Sequence, residues 1–263
     1  MPELPPANPF VFQMPVPPDR FIDRDELLRQ MLSNLLGGNH LALYGSLKTG
    51  KSSILAMLEQ RLRARGKVVL FAAREMVPTS DPFQFAVDFW NAVLRRLSRS
   101  IGLQDEGGIE ITERAMELLD KELAPIYLLI DDFELLVKYA AGMEPAGWLF
   151  ESMRVVFTHV EKLSVLIASR ESGRDLARQI ETAGSPLLNI FIPFNLDDEE
   201  YLPTPDSLKE LLAKYLSKVP PQLQFTENEI ARVVEISESN FARLQYAANL
   251  IFDEKLRVYD EST

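Results

Sequence analysis

The sequence contains no cysteine, so neither a disulfide framework nor a thiolate metal site can be built from it, and a reducing compartment suits it. Histidine is nearly as scarce, with two in the chain. His40 and His159 lie far apart, each beside an apolar run, and each reads as a strand-edge or helix-surface residue, so no zinc site is expected. No apolar stretch approaches the roughly 20 residues that span a bilayer. The first residues offer prolines and an acid where a signal peptide would carry basic and then apolar residues. The expectation is a cytoplasmic protein without membrane attachment. Positive charge is also in deficit, 28 Lys and Arg against 39 Asp and Glu for a net charge of −11. That argues against broad electrostatic attachment to nucleic acid and leaves open a local basic patch. What is abundant is apolar residue content: 46% of 263 residues, enough for one substantial α/β core and a smaller appendage.

Residues 41–52 read LALYGSLKTGKS. An apolar run ends in Gly45, Ser46, Leu47, Lys48, Thr49, Gly50, Lys51 and Ser52, which fits the pattern G-x-x-x-x-G-K-S/T without a mismatch. Ser53 and then Ile54, Leu55, Leu58 and Leu62 continue as an amphipathic helix. A buried strand, a loop whose backbone N–H groups turn inward and a helix N-terminus aimed at the same hollow together form a phosphate cradle. ATP with Mg2+ is the expected ligand. Lys51 would reach the β- and γ-phosphates, and Ser52 would give an oxygen to the metal. Further on, residues 126–134 read IYLLIDDFE, an apolar strand ending in acids. Such a strand beside the phosphate loop supplies one carboxylate to the metal and another to the attacking water. Asp131 is the expected metal residue and Asp132 the water-activating one, with Glu134 as a second candidate base. The plain alternative is that the aspartates cap the next helix.

In chain order, residues 1–18 hold seven prolines (Pro2, Pro5, Pro6, Pro9, Pro15, Pro17, Pro18) and read as an extended arm. Phe10 and Phe12 make it too apolar for a wholly solvated tail, the alternative being an ordinary disordered terminus. Asp23 with Glu26 suggests a capping box for a helix carrying Leu28, Met31, Leu32 and Leu35. Strands are expected at 67–73, within 126–134, at 163–168 and at 187–192 besides the one before the loop. Helices are expected after Asp81-Pro82, from Thr112, and over 145–160. Five strands alternating with helices imply a parallel sheet covered on both faces, connected right-handedly, with its ligand at the carboxyl edge. The character changes at 194–205, where acids cluster and Pro203 and Pro205 interrupt, and helical patterns follow from Asp206, Thr226 and Asn240. The expected division is an arm over 1–20, an α/β domain over 21–195 and a helical lid over 196–263.

The run Asn8-Pro9-Phe10 followed by Phe21-Ile22-Asp23-Arg24-Asp25-Glu26-Leu27 resembles the leading segment of STAND and archaeal-type ATPases, within the AAA+-like ASCE P-loop NTPases. The family usually has glycine where this chain has Asp23. The resemblance implies a P-loop NTPase core of a five-stranded, mainly parallel sheet sandwiched by helices, followed by a small helical lid. It implies that Phe21, Ile22 and Arg24 surround the adenine. Ser169, at the end of the 163–168 strand, resembles the family's first sensor, and Arg170 the arginine that follows it, with Arg174 and Arg178 as further charge-neutralising candidates. The segment SNFARLQ at 239–245 resembles the lid motif and makes Arg243 the second-sensor candidate, although the glycines usual in that turn are absent. The function implied is Mg2+-dependent ATP hydrolysis working as a switch through lid movement or nucleotide-dependent self-association. Two alternatives stand beside it, a nucleotide-binding adaptor with little turnover and an ATP-dependent helper of DNA transactions. STAND-like chains usually carry sensor repeats and an effector domain; neither is seen here, so a protein partner or effector from another chain is expected.

Overall fold

The computed structural model describes residues 7–10, 16, 21, 24–97, 108–141, 143, 147–182, 185–217 and 219–261. Ile22, the expected cap Asp23, Phe12 and six of the seven arm prolines lie outside the described residues. The chain divides into two compact units. The sheet unit comprises Glu26–Ser46 and Ile54–Leu196; the helical unit comprises Met1–Asp25, Leu47–Ser53 and Asp197–Thr263.

In the sheet unit five strands form one parallel sheet: β1 (His40–Tyr44), β2 (Lys67–Ala72), β3 (Ile126–Asp131), β4 (Leu163–Ser169) and β5 (Phe191–Asn195). Their order is β2-β3-β4-β1-β5. Every residue of β3 and β4 is buried, as two-sided coverage demands and as their unbroken apolar runs foretold. Alternation separates the two faces. Ala42, Leu128, Ile130, Val165 and Ile167 share one core with Phe85, Phe89 and Trp90 of α3 (Pro82–Arg96), Ile111, Ala115 and Leu119 of α4 (Gly108–Asp120), and Phe150, Met153 and Phe157 of α6 (Trp148–His159). Within it the Trp90 indole N–H and the Thr112 hydroxyl both donate to Ser152 Oγ, at 2.9 and 2.8 Å, so this polar trio is satisfied among its own members. Leu41, Leu43, Leu129 and Leu166 point the other way and are as fully buried. On that side Ser164 Oγ donates to the Leu35 carbonyl at 2.8 Å, tying β4 to the end of α1 (Asp25–Leu36), whose Leu28, Met31 and Leu35 are buried.

The remaining elements of this unit are α2 (Lys51–Leu62), which starts in the helical unit, α5 (Phe133–Ala140) and α7 (Gly173–Thr182). Asp81 caps α3 as its sequence suggests, accepting from the N–H groups of Phe83 and Gln84 at 2.8 and 3.2 Å ahead of Pro82 at the first helical position. The last strand departs from expectation. Residues 187–190 form a 3-10 turn, and β5 begins four residues later than the apolar run LLNIFI suggests. Pro193 argues against a strand, yet β5 bonds only to β1 and is an edge, where a missing N–H is tolerated. Likewise α4 starts at Gly108, ahead of the expected Thr112.

The helical unit holds α8 (Pro205–Leu216), α9 (Glu227–Ser237) and α10 (Phe241–Glu261). Pro205, which looked like an interruption, is the first residue of α8, with Thr204 accepting from the Ser207 N–H at 3.2 Å as its cap. Thr226 and Glu229 form the expected reciprocal capping box of α9, with hydrogen bonds of 2.7 and 3.3 Å. The core of this unit is small and aromatic: Leu208, Leu212, Tyr215, Leu223, Phe225, Val233, Leu244 and Phe252, completed by Phe10 of the arm.

Candidate functional site

The parallel sheet brings the carboxyl ends of its central strands to one edge. Tyr44 of β1 pairs in register with Ser169 of β4, and Ile130, which precedes Asp131, pairs with Ile167. At the tip of β1, Gly173 admits the Tyr44 ring, since a Cβ there would lie 2.9 Å from Tyr44 Cε2. Burial pushes the Tyr44 phenol up to about 12, so it stays protonated.

From β1 the chain passes through Gly45 and Ser46 into the loop. Lys48 has φ 65° and Gly50 φ 97°. Left-handed residues at alternate positions curl the backbone so that successive N–H groups converge, the concave form that receives an anion. Gly50 suits that conformation at no steric cost. Lys51 is the first residue of α2, with Ser52 and Ser53 next, and no acid stands in the first turn. Lys51 is only 8% exposed and stands at the first position of α2, the end of a helix that favours an anion. Thr49 and Ser53 are also buried, whereas Ser46, Leu47 and Lys48 are exposed and Ser52 is half-buried.

Within the helical unit a small, half-open cleft lies beside this loop. Thr49, Gly50 and Ser53 form one wall, Val16, Phe21 and Arg24 a second, and Leu211, Phe241 and Gln245 a third. The buried Arg24 guanidinium lies 5.4 Å from the centre of the Phe241 ring, cation over aromatic face. Its Nη1 is 3.5 Å from where a Cβ on Gly50 would sit. Phe21 and Arg24, expected near a base, are thus together in this cleft. Arg243 is not among its lining residues; its half-exposed guanidinium pairs with Glu238. Glu238 and Ser239 take left-handed conformations, φ 46° and 57°, in the turn before α10, so that turn forms without glycine.

The acids sit in the sheet unit. Asp131 ends β3, is 9% exposed, and accepts the Asp132 N–H at 3.0 Å. Asp132 is left-handed at φ 55° and stands at the N-cap position of α5 without making a side-chain cap bond. Instead its Oδ2 pairs with Arg74 at 2.5 Å. Arg74 lies in the 3-10 turn Ala73–Glu75 that follows β2, the strand beside β3. Glu134, in the first turn of α5, is 1% exposed and accepts from Arg170 twice, 2.6 Å from Nε and 3.2 Å from the backbone N–H. Burial by itself would push the Glu134 carboxyl up. The Arg170 side chain, the backbone N–H groups of Glu134 and Arg170, and the Ser169 hydroxyl together hold it below the ordinary carboxylate value. Glu134 in turn raises Arg170. Ser169 Oγ also accepts from the Glu171 N–H at 3.0 Å. Asp132 and Glu134 are therefore both bonded to arginine, and Glu134 is held in its ionised form.

Among the described residues no group of three or more His, Asp or Glu side chains could hold a metal alone. A carboxylate such as that of Asp131 and a hydroxyl such as that of Ser52 are oxygen donors of the kind Mg2+ takes, with phosphate and water oxygens filling its remaining positions. No helix among the described residues is long and apolar enough to cross a membrane. Leu211, Phe241 and Gln245 escape a reading by sequence, since at helical spacing they look like ordinary core.

The sequence matches no protein-family model and no curated protein. Likeness is found among solved structures. Orc1 of Aeropyrum pernix in complex with DNA superposes at TM-score 0.63 and 16% identity, over 94% of this chain and 62% of that one. A Walker-type ATPase of Pyrococcus abyssi gives 0.62 and 16%, over 97% and 72%. AMPPCP-bound DnaA of Aquifex aeolicus gives 0.52 and 16%, over 90% and 62%. The chain thus spans just over three fifths of the length of Orc1 and of DnaA. At this identity the likeness is one of fold, and it bears no mark of the STAND branch in particular.

Proposed function

We propose that this chain, whose fold is that of the AAA+-like P-loop ATPases, binds ATP with Mg2+ and hydrolyses it as a nucleotide-dependent switch in the cytoplasm. The observation that carries the reading is the loop with left-handed Lys48 and Gly50 ahead of a buried Lys51. Lys51 would bind the β- and γ-phosphates, while the backbone of 45–50 and the hydroxyls of Ser52 and Ser53 shape the cradle. Ser52 and Asp131 would hold Mg2+, which supplies charge neutralisation between the β- and γ-phosphates. Asp132 is the residue proposed to orient the attacking water, Ser169 to sense the terminal phosphate and Arg170 to offset its charge. Phe21 and Arg24 would flank the base. The proposed division is a nucleotide-binding α/β domain to residue 195 and a lid from 196 that moves with nucleotide state or sets self-association.

Lys51→Ala should abolish nucleotide binding, a loss of roughly a hundredfold or more. Asp132→Asn should retain binding and lose Mg2+-dependent phosphate release. Turnover unchanged in either variant overturns the assignment. A second reading, an adaptor that holds ATP with little turnover, is favoured by the arginines on Asp132 and Glu134, because a carboxylate already hydrogen-bonded to a cation is a weak base. Tight protection by ATP against thermal unfolding without phosphate release would select it. The Orc1 structure is a DNA complex, so the charge-based expectation against nucleic acid gains no support from likeness. ATP-dependent retention of duplex DNA at moderate salt tests that role.

A further inference from the structure

The arm makes specific contacts at two places in the helical unit. Asn8 Oδ1 accepts the Phe10 N–H at 3.0 Å, while Asn8 Nδ2 donates to Asp253 Oδ1 at 2.7 Å and to the Asn249 carbonyl at 3.4 Å, both on α10. The turn so formed presents Phe10 to an aromatic socket, with ring centres 5.4 Å from Tyr215, 5.7 Å from Phe225 and 6.1 Å from Phe252, and leaves it 4% exposed. Six residues further on, the Val16 N–H donates to Ser53 Oγ at 3.0 Å, in the first turn of the phosphate-loop helix. A second route leads back to the cleft. Tyr215, which packs on Phe10, accepts at its hydroxyl from Nε2 of the buried Gln245, a cleft-lining residue, at 3.1 Å.

We propose that Asn8, Phe10 and Val16 are the anchor points of a positioning strap. The Asn-Pro-Phe segment docks in the helical unit's own socket, and the docked arm sets the Ser53 hydroxyl and the Gln245 wall of the cleft, so Phe10 governs nucleotide affinity without touching nucleotide. This rests on the phosphate-binding reading above. Coupling between two sites is reciprocal, so a seated arm that favours nucleotide is itself seated more firmly by nucleotide, by the same factor.

The test reads hydrogen exchange at the Val16 amide in the full chain, with and without ADP and Mg2+, together with ADP affinity. Phe10→Ala should speed Val16 exchange and weaken ADP binding by about five- to tenfold, on the order of one lost hydrogen bond. Phe10→Leu, which refills the socket, should restore most of both, and amides of β3 should not respond. Asn8→Ala leaves the aromatic core whole and should move both readouts in the same direction by about twofold; it carries the test should Phe10→Ala fail to fold. Folded Phe10→Ala protein with unchanged Val16 exchange, or with faster exchange and undiminished ADP affinity, overturns the strap. Wild-type protein that binds no ADP would instead overturn the phosphate-loop reading. The nucleotide-free exchange of Val16 in Phe10→Ala would still decide whether the arm sets Ser53.

Discussion

The strand tips of the sheet unit and the cleft of the helical unit set their charged groups in different surroundings. At the strand tips of the sheet unit Asp132 and Glu134 each carry an arginine, drawn from a different strand end, Arg74 after β2 and Arg170 after β4. In the cleft of the helical unit the contributing cation, Arg24, rests on the face of Phe241 among apolar and amide groups. The contact of a cation with an aromatic face is worth about 0.5–2 kcal/mol. A buried carboxylate on arginine is held hard, because removing one partner strands the other in a low dielectric. On this contrast the cleft cation can shift on its ring at little cost, whereas the arginine pairs hold the acids at the strand tips in place. Binding and turnover would then be limited in different halves of the chain.

The largest effect that could break the contrast is at Glu134. Arg170→Ala removes its cation while burial and the backbone and Ser169 hydrogen bonds remain. Because Arg170 is 44% exposed, solvent screening reduces the cost to about 1–3 kcal/mol. The sign with pH is definite. In the wild type the folded-state carboxyl lies below its ordinary 4.5, so its contribution is present above that value and is lost as pH falls through the folded one. Without Arg170 the carboxyl moves up, and ionising it works against the fold. The stability gap between wild type and variant should therefore widen from pH 4 to pH 7 in urea melts. A gap constant with pH would mean that the pair is not what keeps Glu134 charged.

A smaller effect sharpens the same comparison. Arg74 is 64% exposed and its partner Asp132 is 18% exposed, so Arg74→Ala should change stability by less than about 0.5 kcal/mol. Its consequence lies in turnover. With the arginine gone, Asp132 is freer to orient water, and phosphate release should rise about fivefold, the worth of one competing hydrogen bond near 1 kcal/mol. A fall in phosphate release would show Arg74 to be an aid to the reaction and the adaptor reading to be wrongly grounded.

Which parts were legible in the sequence follows from how local their causes are. The phosphate loop and the acid-tipped β3 could be located by eye because each is a contiguous run whose residue types suit one conformation. The two-sided burial of β3 and β4 is written in their unbroken apolar character. The start of β5 was not, because residues 187–190 are as apolar as the strand that follows and yet form a 3-10 turn. The cleft wall of Leu211, Phe241 and Gln245 was illegible for a different reason. Helical spacing assigns these side chains to a face, and only tertiary packing decides whether that face meets core or a ligand-sized space. Phe10 was half legible, too apolar for a solvated tail but with its socket unnamed.

The smallest expected effect lies at the amino end of β1 and tests whether the sheet unit keeps its other ionisable groups as firmly. His40 Nε2 donates to the Phe157 carbonyl at 2.9 Å, and Nδ1 accepts the Val165 N–H at 3.2 Å. Those partners require the neutral ring with its proton on Nε2, because a second proton on Nδ1 would meet an N–H. Burial lowers the affinity of His40 for a proton, and the bond to Phe157 offsets this only in part. With the folded value below the ordinary 6.5, the contribution is present above about 6.5 and is lost as pH falls, since the unfolded chain takes up the proton first. One imidazole limits the slope to about 1.4 kcal/mol per pH unit, and to about half that at 6.5, where the unfolded ring is half protonated. His40→Gln lowers stability overall but should flatten the dependence between pH 5 and 7. An unchanged slope in that variant would place the titrating group elsewhere and leave the sheet unit's firm hold proven only at its acids.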